Sequence, residues 1–277
     1  MAYRGWIATM TLAAGLCMLM APAQAFDESK YPNWKGKWER KTGERPVWVQ
    51  AGDKAPLTPE YQALFDWNVA DQKAGGHGSE PSWMCLPPGM PRIMNVFEQM
   101  EIVITPDTTF FLLSHIHDNR RVYTDGRDWP SEIEPTFAGL SIGRWVDESG
   151  DGRYDTLVVE TRGMKGPRAY DTSGLPLHSD NKTIVKERIY LDKSDPMVIW
   201  DEITTFDDAL TRPWTVNKRF VRNPDPKPNW LEAICTENNP HVRIQNDNYF
   251  IGADGLLMPA KKGQKPPDLK YFGQAQR

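Results

Sequence analysis

Cysteine is scarce in this sequence, and the surroundings of its three cysteines exclude several kinds of site. Cys17 lies inside an apolar N-terminal run, while Cys85 and Cys235 stand in "WMCLPPGMP" and "LEAICTENNP". Neither of these two has the Cys-x-x-Cys spacing or the nearby histidine of a redox or zinc centre. A structural role is therefore the favoured interpretation of both.

Basic charge is also in short supply. The formal net charge is -4, the isoelectric point is near 5.8, and no stripe of lysines and arginines alternates with aromatic residues. This balance argues against nucleic acid as a partner. The chain also lacks a phosphate-binding loop, a nucleotide fingerprint and a nucleophile elbow, which disfavours nucleotide-dependent and covalent chemistry.

Long hydrophobic runs are missing after the first 25 residues, so we expect no transmembrane segment. At the N-terminus, Arg4 precedes an apolar run that ends near Met20, and the motif Ala23-Gln24-Ala25 follows. This order predicts a secretory signal peptide over residues 1–25. The mature protein is then expected to be periplasmic or secreted, and to be a monomer.

Export bears on the two remaining cysteines. In an oxidising compartment, Cys85 and Cys235 are expected to pair with each other. Their bridge would close a loop of about 150 residues, which stabilises a fold by about 4–5 kcal/mol in the chain-entropy model.

Tryptophan and proline are abundant, with 11 and 23 residues, which indicates short strands around an aromatic interior. One helix is expected in "TPEYQALFDWNVADQKAGGHG", where Thr58 can cap the N-terminus and Pro59 suits the first turn. Tyr61, Leu64, Phe65 and Trp67 fall at helical spacing. His77, in the glycine run after the helix, is predicted to be an exposed loop residue.

From residue 98 to 222 the hydrophobic pattern has period two. The predicted strands are "MEIVIT", "TFFLLSHI", "NRRVYTD", "YDTLVVET", "KTIVKERIYL", "PMVIWDEITTF" and "WTVNKRFVR". Because no helices intervene, they predict an antiparallel barrel or sandwich. The expected organisation is a signal peptide (1–25), an irregular segment (26–97), the β domain (98–240) and a strap or tail (241–277).

Alternation places several polar residues on apolar faces. Glu187 and Lys218 each lie between apolar residues of one strand face, and His115 and His117 continue an apolar face. Such groups are costly to bury unless they are paired or serve a ligand. One interpretation is a self-satisfying ion pair; the other is an acid/base or ligand-orienting group.

His115 and His117 could also bind one transition metal, as in cupin-type sites. A cupin needs a glutamate shortly after the pair, and residues 118–121 read Asp-Asn-Arg-Arg instead. His178 or Glu187 is the candidate third ligand.

"DESGDGRYD" is a second metal candidate. Asp147, Ser149, Asp151 and Asp155 are spaced as the oxygen ligands of a calcium loop. The acid expected at the twelfth position is missing, since Val158 stands there. A structural calcium ion and a tight acidic hairpin both remain open; no other cofactor is predicted.

Several segments resemble a widespread family of exported bacterial proteins. They are "RVYTDGRDWP", "PTFAGLSIGRW", "YDTLVVETRG", "DTSGLPLHSD", "KERIYLD" and "TRPWTV", over about residues 85–240. Gly36-Lys37-Trp38 is also similar to the lipocalin G-x-W signature. The resemblance implies a calycin-like β-barrel and singles out Arg121, Asp125, Arg127, Trp145, Asp155, His178, Glu187, Arg188 and Trp214. For Asp125-Gly126, a plain hairpin turn is the competing interpretation.

The sequence thus predicts an all-β, antiparallel calycin-like barrel with an irregular N-terminal segment that contains one short helix. Two functions remain open. The first is binding of a small, partly apolar ligand in an aromatic-lined cavity, with Arg121, Arg127, Trp145, Lys218, His115 and His117 as candidate ligand-binding residues. The second is a cofactor-independent lyase, isomerase or hydrolase that uses Glu187, His178 and Asp125.

Overall fold

The computed structural model describes residues 26–40, 54–95, 99–114, 119–231, 234–235, 241–244, 247–252 and 254–267. The predicted signal peptide and the pair His115 and His117 lie outside the described residues.

Nine strands form a closed barrel in sequence order, which confirms the predicted all-β class. Their bounds are β1 Lys37–Arg40, β2 Met100–Ile104, β3 Thr108–Leu113, β4 Asn119–Tyr123, β5 Leu140–Val146, β6 Thr156–Arg162, β7 Ile184–Leu191, β8 Val198–Phe206 and β9 Trp214–Arg222. Neighbouring strands are antiparallel except for β4 and β5. β9 pairs with β1 and so closes the barrel.

All seven predicted strands are present, and two barrel strands were missed. β1 lies in the segment that was predicted to be irregular, so the barrel includes residues before 98. β5 escaped because its inward face carries Ser141, Gly143 and Trp145, which give no regular alternation of apolar and polar residues. Residues 124–139 form the long connection that a parallel pair such as β4 and β5 requires.

The predicted helix is α1, Pro59–Lys73, and the Thr58 hydroxyl accepts a hydrogen bond from the Tyr61 N–H at 3.4 Å. Its packing differs from expectation, because Leu64 and Trp67 are exposed. The buried residue is Asn68, whose side chain donates to the Gly174 carbonyl at 2.6 Å and accepts from the Ser79 N–H at 3.0 Å. The polar contacts of Asn68, together with packing of Phe65 against the core, therefore hold this helix to the body.

Packed side chains fill the barrel. Val185 and Ile189 are fully buried on the predicted apolar face of β7, beside Phe111, Leu157 and other members of one core. Connecting segments add Trp34, Met90, Met94, Met164 and Tyr170 to this core. These residues form one hydrophobic core inside the barrel and its connecting segments.

A three-stranded sheet follows the barrel, in the region predicted to be a strap or tail. It consists of β10 His241–Ile244, β11 Asp247–Ile251 and β12 Leu257–Pro259. Lys261 binds Asp71 of α1, with 2.5 Å between Nζ and Oδ1. The prediction for His77 was wrong, because this residue is buried with its ring centroid 6.1 Å from that of Phe250.

Cys85 and Cys235 meet, as the sequence predicted. Their sulfur atoms are at bonding distance, and the Cα atoms of Cys85 and Cys235 are 5.6 Å apart. This contact connects the segment before β2 to the segment after β9. No helix in the described part of the chain is long and apolar enough to cross a membrane.

Candidate functional site

A buried ion pair lies in the middle of the barrel. Glu187 points inward from β7, as predicted, and Arg120 points inward from β4. The guanidinium donates to both carboxylate oxygens of Glu187, and the distance from Nη1 to Oε1 is 2.7 Å. The two side chains are at most 1% exposed. This two-pronged geometry is the strongest form of an arginine–carboxylate contact.

Two hydroxyl groups complete the environment of Arg120. Its Nη2 donates to Thr161 Oγ1 at 3.2 Å, and the hydroxyls of Thr161 and Ser141 are 2.8 Å apart. The guanidinium carbon lies 5.6 Å from the centroid of the Phe111 ring. Glu187 is therefore compensated by protein groups, which matches the self-satisfying interpretation of its burial.

Asp201 is a further acid in the barrel. It lies on β8 opposite Lys218 of β9, and both residues are buried. Both carboxylate oxygens of Asp201 lack a hydrogen-bond partner among the described residues. Burial raises the pKa of Asp201 well above its ordinary value, and the charge of Glu187 raises it further, while Arg120 and Lys218 oppose the shift. The site favours the neutral acid.

A pocket of about 400 Å³ lies outside this network, between β4 and residues 130–139. Arg120 and Ser141 reach its lining, as does the predicted ligand-binding residue Arg121. Arg127 lies close by, with its guanidinium 3.7 Å from the centroid of Tyr123, which also lines the pocket.

Asp125 acts within its own turn. Its carboxylate accepts hydrogen bonds from the Arg127 backbone N–H at 3.2 Å and from Arg127 Nε at 2.9 Å. These contacts lower the pKa of Asp125, chiefly through the side chain of Arg127. Gly126 has φ +79° and suits a tight turn. The turn interpretation of this motif accounts for its contacts.

His178 lies in a third environment. Its Nδ1 accepts the Asp180 N–H at 3.2 Å, and its ring centroid is 5.4 Å from that of Tyr61. Among the described residues, His178, Asp180 and Asp208 place potential metal ligands within 4.8 Å of one another. In the same part of the chain, no hydrogen bond or ion pair joins His178 to Glu187 or Asp125. The three predicted catalytic residues therefore occupy separate sites.

The predicted calcium loop is a hairpin between β5 and β6 whose carboxylates bind their own backbone. Asp147 accepts the N–H groups of Gly150 and Gly152 at 2.6 and 2.8 Å. Asp155 accepts those of Glu148 and Ser149 at 3.1 and 2.9 Å, and Asp151 accepts that of Arg153. The backbone bond from Gly152 is the main cause that lowers the pKa of Asp147. These contacts favour the hairpin alternative.

Trp145 belongs to an aromatic cluster. Its indole donates to Thr109 Oγ1 at 3.3 Å, and its ring is 4.8 Å from Trp34 and 5.4 Å from Tyr31. Phe26 extends the cluster, with its ring 5.0 Å from Tyr31.

The cluster borders a pocket of about 480 Å³, which we call the aromatic pocket. Its lining combines aromatic and aliphatic residues of two segments: Phe26, Tyr31, Trp34, Ile102, Val103 and Ile104. Glu28, Asn33, Lys35 and Arg153 supply the polar groups.

The aromatic pocket arises where the chain leaves the sheet. β1 pairs with β2 only through Lys37 and Trp38, so residues 33–35 do not pair with residues 102–104. Gly36 has φ +103°, a conformation that other residues adopt only with strain, and it lets the chain turn into β1. Residues 102–104 of β2, which pair with β3 but not with β1, and the N-terminal segment then enclose the pocket.

Sequence reasoning missed three participants. Arg120 and Asp201 could have been found by alternation, since each shares a strand face with buried Val122 or with Ile199 and Ile203. The aromatic pocket had no such signal, because its Tyr31 wall comes from a segment without periodicity. No protein-family model matches the sequence, and no curated protein is significantly similar to it.

Proposed function

We propose that this protein is exported and binds a small, partly apolar ligand in the aromatic pocket. The observation that supports this function is a pocket of about 480 Å³ with aromatic and aliphatic walls and a few polar groups at its rim. Small-molecule sites are typically concave, of 300–1,000 Å³, mostly apolar, and provided with a few polar groups that orient the ligand.

The barrel interior is a weaker candidate for the ligand. Large side chains fill it, among them Trp38, Met100, Phe111 and Phe220. Glu187, Lys218 and Arg127 were expected to fix a polar end of the ligand. Glu187 and Lys218 are buried in that core, and none of the three residues lines the aromatic pocket.

The acid/base alternative is disfavoured because each of its three proposed catalytic residues binds a different partner. General acid–base catalysis needs its groups within hydrogen-bond reach of one substrate. Glu187 binds Arg120, Asp125 binds Arg127, and His178 accepts a backbone N–H of Asp180. We therefore favour binding over catalysis.

Export is supported by the cysteine pair. The contact between Cys85 and Cys235 is of the kind that persists in oxidising compartments. Removal of residues 1–25 would leave Phe26, a wall of the aromatic pocket, as the first residue of the mature chain.

A pocket-filling variant tests the function. Val103→Trp places a large ring at the half-open wall of the pocket, where Val103 is 42% exposed and the barrel core is not disturbed. Ile251→Trp, on β11 of the other sheet, is the matched control at a similar exposure of 39%. With 3-phenylpropanamide as probe, calorimetry should show binding to the wild type and to Ile251→Trp, and greatly weakened binding to Val103→Trp. Equal binding by all three proteins would remove the aromatic pocket as the site.

A further inference from the structure

The aromatic pocket carries more hydrogen-bond donors than acceptors. Its one carboxylate is that of Glu28, and this group is already engaged by Lys35, with 2.5 Å between Oε2 and Nζ. The charges of Glu28 and Lys35 therefore compensate each other. The remaining polar groups of the pocket determine which kind of ligand it binds.

Arg153 supplies the charge that remains. It lies in the exposed hairpin between β5 and β6 and lines the pocket. Its backbone N–H binds Asp151, but its guanidinium has no acidic partner among the described residues. An arginine at the mouth of an apolar pocket matches the fork geometry of a carboxylate.

One neutral donor lies on the same lining. Trp34 also lines the pocket, but its indole N–H is buried, so this residue supplies apolar surface and not a donor. The Asn33 side-chain oxygen accepts the Lys35 N–H at 3.2 Å, which leaves the amide N–H groups of Asn33 as donors.

We propose that the ligand of the aromatic pocket is a small amphipathic carboxylate, such as an aryl-substituted or medium-chain acid. The apolar body of the ligand contacts Tyr31, Ile102 and Ile104, and its carboxylate binds the guanidinium of Arg153. This inference rests on the proposed function, and it adds the chemical class of the ligand. Processing after Ala25 would add the α-ammonium of Phe26, which carries positive charge below about pH 8, to the same pocket.

Two probes with the same apolar part distinguish the proposed binding function from the proposed preference for a carboxylate. 3-Phenylpropanoate and its neutral amide differ only in the group that the guanidinium would bind. Because charge-assisted hydrogen bonds are about twice as strong as neutral ones, the acid should bind about tenfold more tightly than the amide at low salt. Added salt should weaken binding of the acid and leave the amide unchanged.

Arg153→Gln should abolish the difference between the probes, while the amide keeps its affinity. Arg144→Gln, on the exposed outer face of β5, makes the same change of net charge and should keep the difference. If acid and amide bind the wild type equally, or if Arg153→Gln weakens both equally, the carboxylate inference fails and the binding function stands. If neither probe binds and a series of fatty acids and alcohols also fails, the proposed function itself fails.

Discussion

The guanidinium of Arg120 and the carboxylate of Glu187 face each other inside the barrel and share two hydrogen bonds. The two residues come from β4 and β7, which are not neighbours in the sheet, so the contact spans the barrel interior. A buried pair of this kind contributes little relative to a well-packed apolar pair, but breaking it strands one charge. The contribution of the pair to stability is therefore measured by comparing single and double replacements.

Glu187→Ala should lower the free energy of unfolding by about 3–5 kcal/mol, because Arg120 then remains buried without its partner. The double variant Arg120→Met with Glu187→Leu should recover most of that loss. Urea denaturation of the wild type and the variants measures both effects.

The exposed pair of Arg188 and Glu148 is the control, and Glu148→Ala, which removes only this pair, should cost at most about 1 kcal/mol. A small loss for Glu187→Ala, comparable to that of the control, would show that Glu187 is not compensated by Arg120.

Asp201→Asn should stabilise the protein increasingly as the pH rises. The pKa of Asp201 is raised in the folded state, so its contribution to stability is complete below the unfolded pKa of about 3.9. That contribution is lost as the pH rises toward the folded value, and an amide of the same shape does not lose it.

Unfolding free energies of the wild type and Asp201→Asn at pH 5 and pH 8 give the test, with Glu60→Gln in the exposed first turn of α1 as the control. A difference between wild type and Asp201→Asn that is the same at both pH values would mean that Asp201 does not have a raised pKa.

The cysteine pair should be oxidised within one chain. Thiol labelling under denaturing, non-reducing conditions should find neither Cys85 nor Cys235 free. Replacing both with alanine should cost about 4–5 kcal/mol, because the unfolded chain regains the entropy of a loop of about 150 residues. A labelled cysteine, or a dimer that dissociates only with reductant, would contradict this pairing.

The hairpin between β5 and β6 should be independent of calcium. The carboxylate oxygens of Asp147 and Asp155 accept hydrogen bonds from backbone N–H groups. Chelation with EDTA should therefore leave the melting temperature unchanged. Asp147→Ala should lower that temperature, whereas Asp151→Ala, which loses one backbone bond, should do so less. A rise of the melting temperature on addition of millimolar calcium, lost in Asp147→Ala, would restore the calcium-loop interpretation.

Strand positions and inward-facing residues could be predicted, because both depend on neighbours along the same strand. Period two and turn residues located seven strands, and alternation placed Glu187 and Lys218 inside. The same rule applied to β4 and β8 would have placed Arg120 and Asp201. It could not pair Glu187 with Arg120, because strand pairing around a closed barrel decides which inward groups meet.

The aromatic pocket could not be predicted from the sequence, for a different reason. It depends on residues 26–35 folding back beside the end of β2 that does not pair with β1, a long-range contact without any periodic pattern. The prediction that His77 is exposed was wrong for a related reason. A glycine-rich surrounding indicates a loop, but burial of the imidazole comes from Phe250, 173 positions later in the sequence.

Native mass spectrometry of the purified protein tests the binding function most directly. We expect a small organic molecule to be retained on the wild type and on Ile251→Trp, and to be lost from Val103→Trp. The released molecule should carry a carboxyl group. Wild-type protein that shows only its bare mass, and that binds no partly apolar probe afterwards, would contradict the account.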